Sequence, residues 1–138
     1  MALVIDASAI APLTLGDEDA RYANRVLSQV EQEGFAWVPR LFFEELGNVL
    51  VVNERRGRID PATSDVFLAM VRQRLSLRTF EISDMAAPVR LAREFGLSVY
   101  DAVYLSCAIS THSRLATQDK SLATAALASG VGLLPFEE

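Results

Sequence analysis

An α/β fold on a mainly parallel sheet, with helices on both faces, is what the sequence predicts. Three observations carry that expectation. Short apolar runs of β character alternate with longer stretches of helical pattern from one end of the chain to the other. The 138 residues are 51% hydrophobic, enough to fill one core. No linker, repeat or low-complexity tract breaks the alternation, so one domain is expected over residues 1–138.

The first strand is expected in LVIDAS, from Leu3, and the first helix in the acid-started segment 17–33. FAWVP supplies a second strand. The next helix is LFFEELGNVLVVNERRG, whose basic turn Arg55-Arg56 precedes a closing Gly57. Asp60 as N-cap and Pro61 at the first helical position start another, with Val66, Met70 and Leu75 on its inner face. LRTFEI is the third strand. Asp84 opens a helix ending near Gly96, and Ser98 opens a very apolar one that runs to Thr111. RLATQD is a strand leading into the helix KSLATAALAS, which Gly130 stops, and VGLLPF closes the chain as a last strand.

Composition excludes several functions. With 13 Lys+Arg against 18 Asp+Glu the net charge is −5, which disfavours holding nucleic acid through bulk positive charge. Cys107 is the sole cysteine, so an intrachain disulfide is impossible and a reducing cytoplasm is the expected setting. The N-terminus lacks a basic region and carries Asp6 inside its apolar run, against a signal peptide. The uncharged stretch 121–136 is shorter than the roughly 18 residues of a membrane span and contains Gly130, Gly132 and Pro135. A soluble protein without a membrane partner is expected. A nucleotide-binding glycine loop does not follow the first strand.

Four acids stand apart from the solvated majority. Asp6 is the only charged side chain in residues 1–16, and Asp101 the only one in 97–113. A carboxylate in so apolar a setting must be hydrogen-bonded, neutralised or bound to a cation. Glu45 lies mid-helix among Leu41, Phe42, Phe43, Leu46 and Val49, with Asn48 on its face at i+3. Its neighbour Glu44 reads as the solvated one of the pair. Asp119 follows RLATQ. Each acid also has a structural reading: Asp6 as a cap or turn at a strand end, Asp101 in an S-x-x-D capping box with Ser98, Asp119 as the N-cap of the helix after it. Glu45 has the weakest alternative, because mid-helix no backbone donor is free to satisfy it.

Position favours a common site. Asp6, Asp101 and Asp119 fall where strands end or helices begin, which is where open α/β sheets bind ligands, and Glu45 can reach the same point. Two carboxylates about 4 Å apart repel by roughly 4 kcal/mol at an effective dielectric near 20, so such a cluster calls for a hard cation. All-oxygen ligands suit Mg²⁺ or Mn²⁺ rather than zinc.

At these residues the chain resembles the PIN-domain nucleases, and within them the small VapC-type toxins of prokaryotic toxin-antitoxin pairs. The resemblance rests on VIDASAI with Asp6 and Ser8, EELGNVL with Glu45 and Asn48, GLSVYDAVYLSCA with Asp101, and LATQDKSLA with Thr117 and Asp119. These occur in that order over nearly the whole chain. The resemblance implies a three-layer α/β/α fold and a Mg²⁺- or Mn²⁺-dependent endoribonuclease. Asp6, Glu45, Asp101 and Asp119 would be its catalytic, metal-binding acids, with Ser8, Asn48 and Thr117 as supporting polar neighbours. It further implies an RNA substrate, a cognate antitoxin and a homodimer. Gly47 and Gln118 are minor departures.

Hydrolysis by a metal-activated water needs no covalent nucleophile. His112 is then a bystander, and Cys107 a packed thiol, since it lacks a histidine partner or electropositive context. RNA at an acidic site needs local positive charge. Arg40 and Lys120, each close in sequence to a site acid, are the candidate phosphate contacts; Arg55, Arg56 and Arg58 read as a solvated helix end favoured by the dipole. Tyr100 is a base stacker or, more commonly for such a helix, a core aromatic. A haloacid-type phosphatase would want an aspartate where Ser8 stands, and a receiver domain paired early acids. Two alternatives remain: an RNA-processing nuclease outside any toxin pair, and a non-catalytic protein-binding module on the same fold.

Overall fold

Strands β1 (Leu3–Ile5), β2 (Ala36–Pro39), β3 (Leu77–Phe80) and β4 (Arg114–Ala116) form a parallel sheet in the order β3-β2-β1-β4. The computed structural model describes residues 1–16 and 19–136. Every position of β1 is fully buried, which explains why LVI is continuously apolar: a central parallel strand is covered on both faces. Its register pairs Leu3, Val4 and Ile5 with Arg114, Leu115 and Ala116, so the chain leaves β1 and β4 side by side.

Parallel strands require crossovers, and helices supply them. β1 leads through α1 (Ala7–Ile10), a 3₁₀ turn (Ala11–Thr14) and α2 (Arg21–Glu33) to β2. α3 (Leu41–Arg55) and α4 (Pro61–Arg74) connect β2 to β3, and α5 (Ala86–Phe95) with α6 (Val99–Thr111) connects β3 to β4. α7 (Lys120–Ala128) follows. Helices α2, α3 and α6 pack directly on the strands. Phe42, Leu46, Tyr104 and Leu105 from α3 and α6 are among the largest fully or almost fully buried side chains. None of the helices described is long and apolar enough to cross a membrane.

The caps fall where the sequence puts them. Asp60 Oδ1 accepts from Thr63 N at 2.8 Å, Ser98 Oγ from Asp101 N at 3.1 Å, and Gly57 closes α3 at φ 73°.

Four expectations are corrected. The helix expected over 17–33 begins at Arg21, where the Asp19 carboxylate accepts Arg21 N at 2.9 Å; Asp17 and Glu18 lie outside the described residues. The strand expected in LVIDAS stops at Ile5, and after Asp6 the chain forms α1 and a 3₁₀ turn that carries Pro12 at its second position, where no donor is missed. On α4 the inner face is Ser64, Phe67 and Val71 leading to Leu75, while Val66 is 71% exposed and Met70 only partly covered. The i, i+4, i+8 row through Phe67 hides the bulkier ring, and that row wins. Finally, VGLLPF forms one parallel bridge, Leu115 with Leu133, instead of a strand. Leu115 N donates to Gly132 O and Leu134 N to Leu115 O, both at 2.9 Å. Beyond them Pro135 has no N–H to extend the ladder.

Candidate active site

The site begins where β1 ends. Asp6 has left the strand but not its ladder: its N–H donates to Ala116 O, which sets it beside Thr117 at the end of β4. Its Oδ1 caps α1 by accepting Ala9 N at 3.1 Å and also accepts Ser8 Oγ at 2.7 Å. Thr117 Oγ1 donates to the other oxygen. Gln118 N then donates to Ser8 Oγ at 2.9 Å, and Asp119 N to Thr117 Oγ1 at 3.0 Å. The ends of β1 and β4 are thereby one hydrogen-bonded unit.

Asp119 uses Oδ1 to cap α7 through Leu122 N at 2.9 Å. Asp101 stands in the first turn of α6, its N–H held by Ser98. Glu45 projects from the second turn of α3. All four acids line a single cleft of about 600 Å³, together with Ser8, Asn48 and Gln118. Thr117 is buried behind Asp6 rather than in the lining. The cap and site readings of the aspartates do not exclude each other. The N–H groups at helix starts fix one carboxylate oxygen of Asp6 and Asp119, and the cap at Ser98 fixes the backbone that carries Asp101.

The acids disturb one another. Burial pushes the Asp6 carboxyl up from its ordinary 3.8 to about 6; the hydroxyls of Ser8 and Thr117 and the amide of Ala9 pull it back, and the charge of Asp119 raises it further. Glu45 is raised by burial first, drawn down by Tyr104 and pushed up by Asp101. Asp101 is raised by burial and then by Asp119, against a pull from Ser98. Among the described residues none of the four forms a salt bridge.

Among the polar lining residues, Tyr104, Asn53, Arg56 and Arg58 are not assigned to the site from the sequence. Helical spacing holds the signal. Tyr104 is three residues beyond Asp101, and Glu45, Asn48, Val52 and Arg56 follow at intervals of three or four along one face of α3. Arg58, just past Gly57, also lines the cleft, with Nη1 3.5 Å from Asn53 Oδ1. Arg40 and Lys120 do not line it. Arg40 is exposed and ion-paired with Glu81, and Lys120 opens onto a second cavity with Phe95, Gly96 and Thr124. Tyr100 is 66% exposed rather than in the core. Cys107 is fully buried, its thiol pushed up to about 12 by burial, which makes it inert. His112 ends α6 in the left-handed region at φ 54° and is not part of the cleft lining.

The sequence matches the PIN domain family over residues 3–127. The chain belongs to the PIN-domain family. It is 30% identical over 125 residues to Ribonuclease VapC3 of Pyrobaculum aerophilum, covering 89% of this chain and 93% of that protein. The crystal structure of PAE2754 from Pyrobaculum aerophilum is similar at a TM-score of 0.69 and 30% identity, over 91% of this chain and 79% of that one. FitAcB from Neisseria gonorrhoeae shares the fold at a TM-score of 0.65 with 14% identity, over 97% of both chains.

The donor set of this PIN domain fits a hard divalent cation. It is all oxygen, the carboxyls of Asp6, Glu45 and Asp101 are raised by burial and by a neighbouring acid, and among the described residues no basic side chain is paired to them. Among the described residues no three His, Cys, Asp or Glu side chains group tightly enough to ligate one ion directly. That is compatible with Mg²⁺, which keeps several waters and takes only one or two carboxylates.

Proposed function

We propose that residues 1–138 act as one PIN nuclease domain, a Mg²⁺- or Mn²⁺-dependent endoribonuclease that is the toxin of a type II toxin-antitoxin pair. The observation that carries the reading is the convergence of Asp6, Glu45, Asp101 and Asp119, without a paired base among the described residues, in one cleft at the carboxyl edge of the sheet. Identity to Ribonuclease VapC3 over nearly the full length of both chains supports RNA as the substrate and the toxin role. The antitoxin partner, the homodimer and the cytoplasmic setting follow from the VapC resemblance and from a chain with one cysteine.

Asp6, Glu45, Asp101 and Asp119 would hold the divalent cation, which would supply Lewis acidity for the scissile phosphate and for an attacking water. The chain's own residues prepare the place. Ser8 and Thr117 orient both oxygens of Asp6, the α7 cap orients Asp119, and Asn48 offers an amide one turn from Glu45. Arg56, at the cleft end of α3, is the better-placed phosphate contact, with Arg40 and Lys120 reaching at most strand segments outside the cleft.

Two measurements test this. The purified protein cleaves RNA with Mg²⁺ or Mn²⁺, loses cleavage in chelator and regains it when the metal returns; cleavage that persists in chelator rejects the reading. Arg56→Gln raises KM for RNA severalfold at unchanged kcat and lowers the salt dependence of binding by about 0.7 in log-log slope, as loss of one phosphate contact to a single strand requires. An unchanged KM and slope remove Arg56 from the RNA path.

A further inference from the structure

Two side chains of the cleft, a donor and an acceptor, answer each other's needs. The donor is Tyr104. It lies one helical turn after Asp101 on α6, is 1% exposed and lines the cleft, yet its hydroxyl is sealed from solvent without a hydrogen bond of ordinary geometry. An unsatisfied buried hydroxyl costs about 1–3 kcal/mol, whereas phenylalanine would fill the same volume at no such cost. The acceptor is Glu45. Asp6 is held by Ser8, Thr117 and Ala9, and Asp119 by Leu122, while the Asp101 carboxyl is drawn toward its charged form by Ser98. Glu45 reaches the cleft from α3 on a longer side chain with no backbone donor of its own, and the group that draws its carboxyl toward the charged form is Tyr104.

We propose that Tyr104 is a positioning residue whose O–H donates to the Glu45 carboxylate and fixes that acid toward the other three. The two deficits are complementary: the hydroxyl has no hydrogen bond of ordinary geometry, and the bond to Glu45 forms when that acid turns toward a bound cation. The phenol is fit for the task, because a tyrosine hydroxyl ordinarily ionises well above any working pH and so stays a donor. Such a partner sets the direction of a ligating carboxylate without touching substrate. The inference rests on the nuclease reading of the same cleft.

The test is Tyr104→Phe in the full chain, measured by melting with and without Mn²⁺ and by RNA cleavage. Without metal its melting temperature equals or exceeds that of the wild type, since a buried unpartnered hydroxyl is gone. The Mn²⁺ concentration giving half-maximal thermal stabilisation rises about tenfold or more, and kcat falls by a similar factor at unchanged KM for RNA. In a Glu45→Ala background the same change leaves the Mn²⁺ titration where it is. A loss of apo stability makes the hydroxyl a structural group and overturns the proposal. So does an unaltered Mn²⁺ titration, or a further shift in the Glu45→Ala background. A wild type that neither binds Mn²⁺ nor cuts RNA rejects the nuclease reading as well, whereas a competent wild type matched by Tyr104→Phe rejects only the role of the tyrosine.

Discussion

Asp101→Asn removes Mg²⁺-dependent RNA cleavage and leaves the apoprotein folded, with a melting temperature equal to or above that of the wild type. The two halves of this expectation have separate causes. The cap of α6 is made by Ser98 Oγ and the backbone N–H of residue 101, so it survives a change of side chain. What asparagine removes is a charge that Asp119 pushes against and that in turn pushes on Glu45. Losing it relieves repulsion in the absence of metal and removes a ligand in its presence. Because even outer-shell partners of a metal cost 10–100-fold when removed, a ligating acid should cost more than about 100-fold in kcat/KM. Cleavage rates and apo melting curves on one preparation decide the matter. Retained cleavage ends the role assigned to Asp101, and an apoprotein that no longer folds returns it to the capping box.

The strongest sequence signals came from side chains in conflict with their surroundings. Asp6 and Asp101 were legible because each is a lone charge in an apolar run, and Glu45 because mid-helix no backbone donor is free to satisfy it. These conflicts are resolved only at the site, so they pointed to it. Residues in harmony with their surroundings gave no such signal. Tyr104 looks like any aromatic of an apolar helix until its hydroxyl is found sealed beside Glu45. Arg56 looks like a helix-end arginine, and only the turn of α3 brings it to the cleft. The same holds for the fold. Caps such as Asp60 and stops such as Gly57 are local and were readable. The inner face of α4 was not, because Val66, Phe67, Met70 and Val71 present two overlapping apolar rows and only packing selects one. VGLLPF has strand composition, but whether it joins the sheet depends on how much of β4, three residues long, remains to pair with it.

The second large effect is on stability, and its sign depends on metal. Asp6 is 6% exposed, with a carboxyl raised from 3.8 to about 6 chiefly by burial. The folded protein therefore binds this proton more tightly than the unfolded chain does. Below pH 3.8 both states are protonated and the residue costs nothing; as pH rises through about 6 the folded state must ionise a buried acid, and above that the full penalty applies, of the order of 3 kcal/mol. Asp6→Asn removes the ionisable group while keeping an oxygen for the Ala9 N–H that caps α1. At pH 7.5 without metal the variant should melt higher than the wild type, by up to about 10 °C, and the difference should shrink to nothing as pH is lowered toward 4. Saturating Mn²⁺ reverses the order. An ion at a thousand times its dissociation constant stabilises the wild type by about 4.1 kcal/mol, more than that penalty, and gives little to a variant that has lost the innermost acid. Melting curves at three pH values, with and without Mn²⁺, read all of this. A variant less stable than the wild type at pH 7.5 in chelator contradicts the burial argument, and equal Mn²⁺ shifts in the two proteins contradict a metal that depends on Asp6.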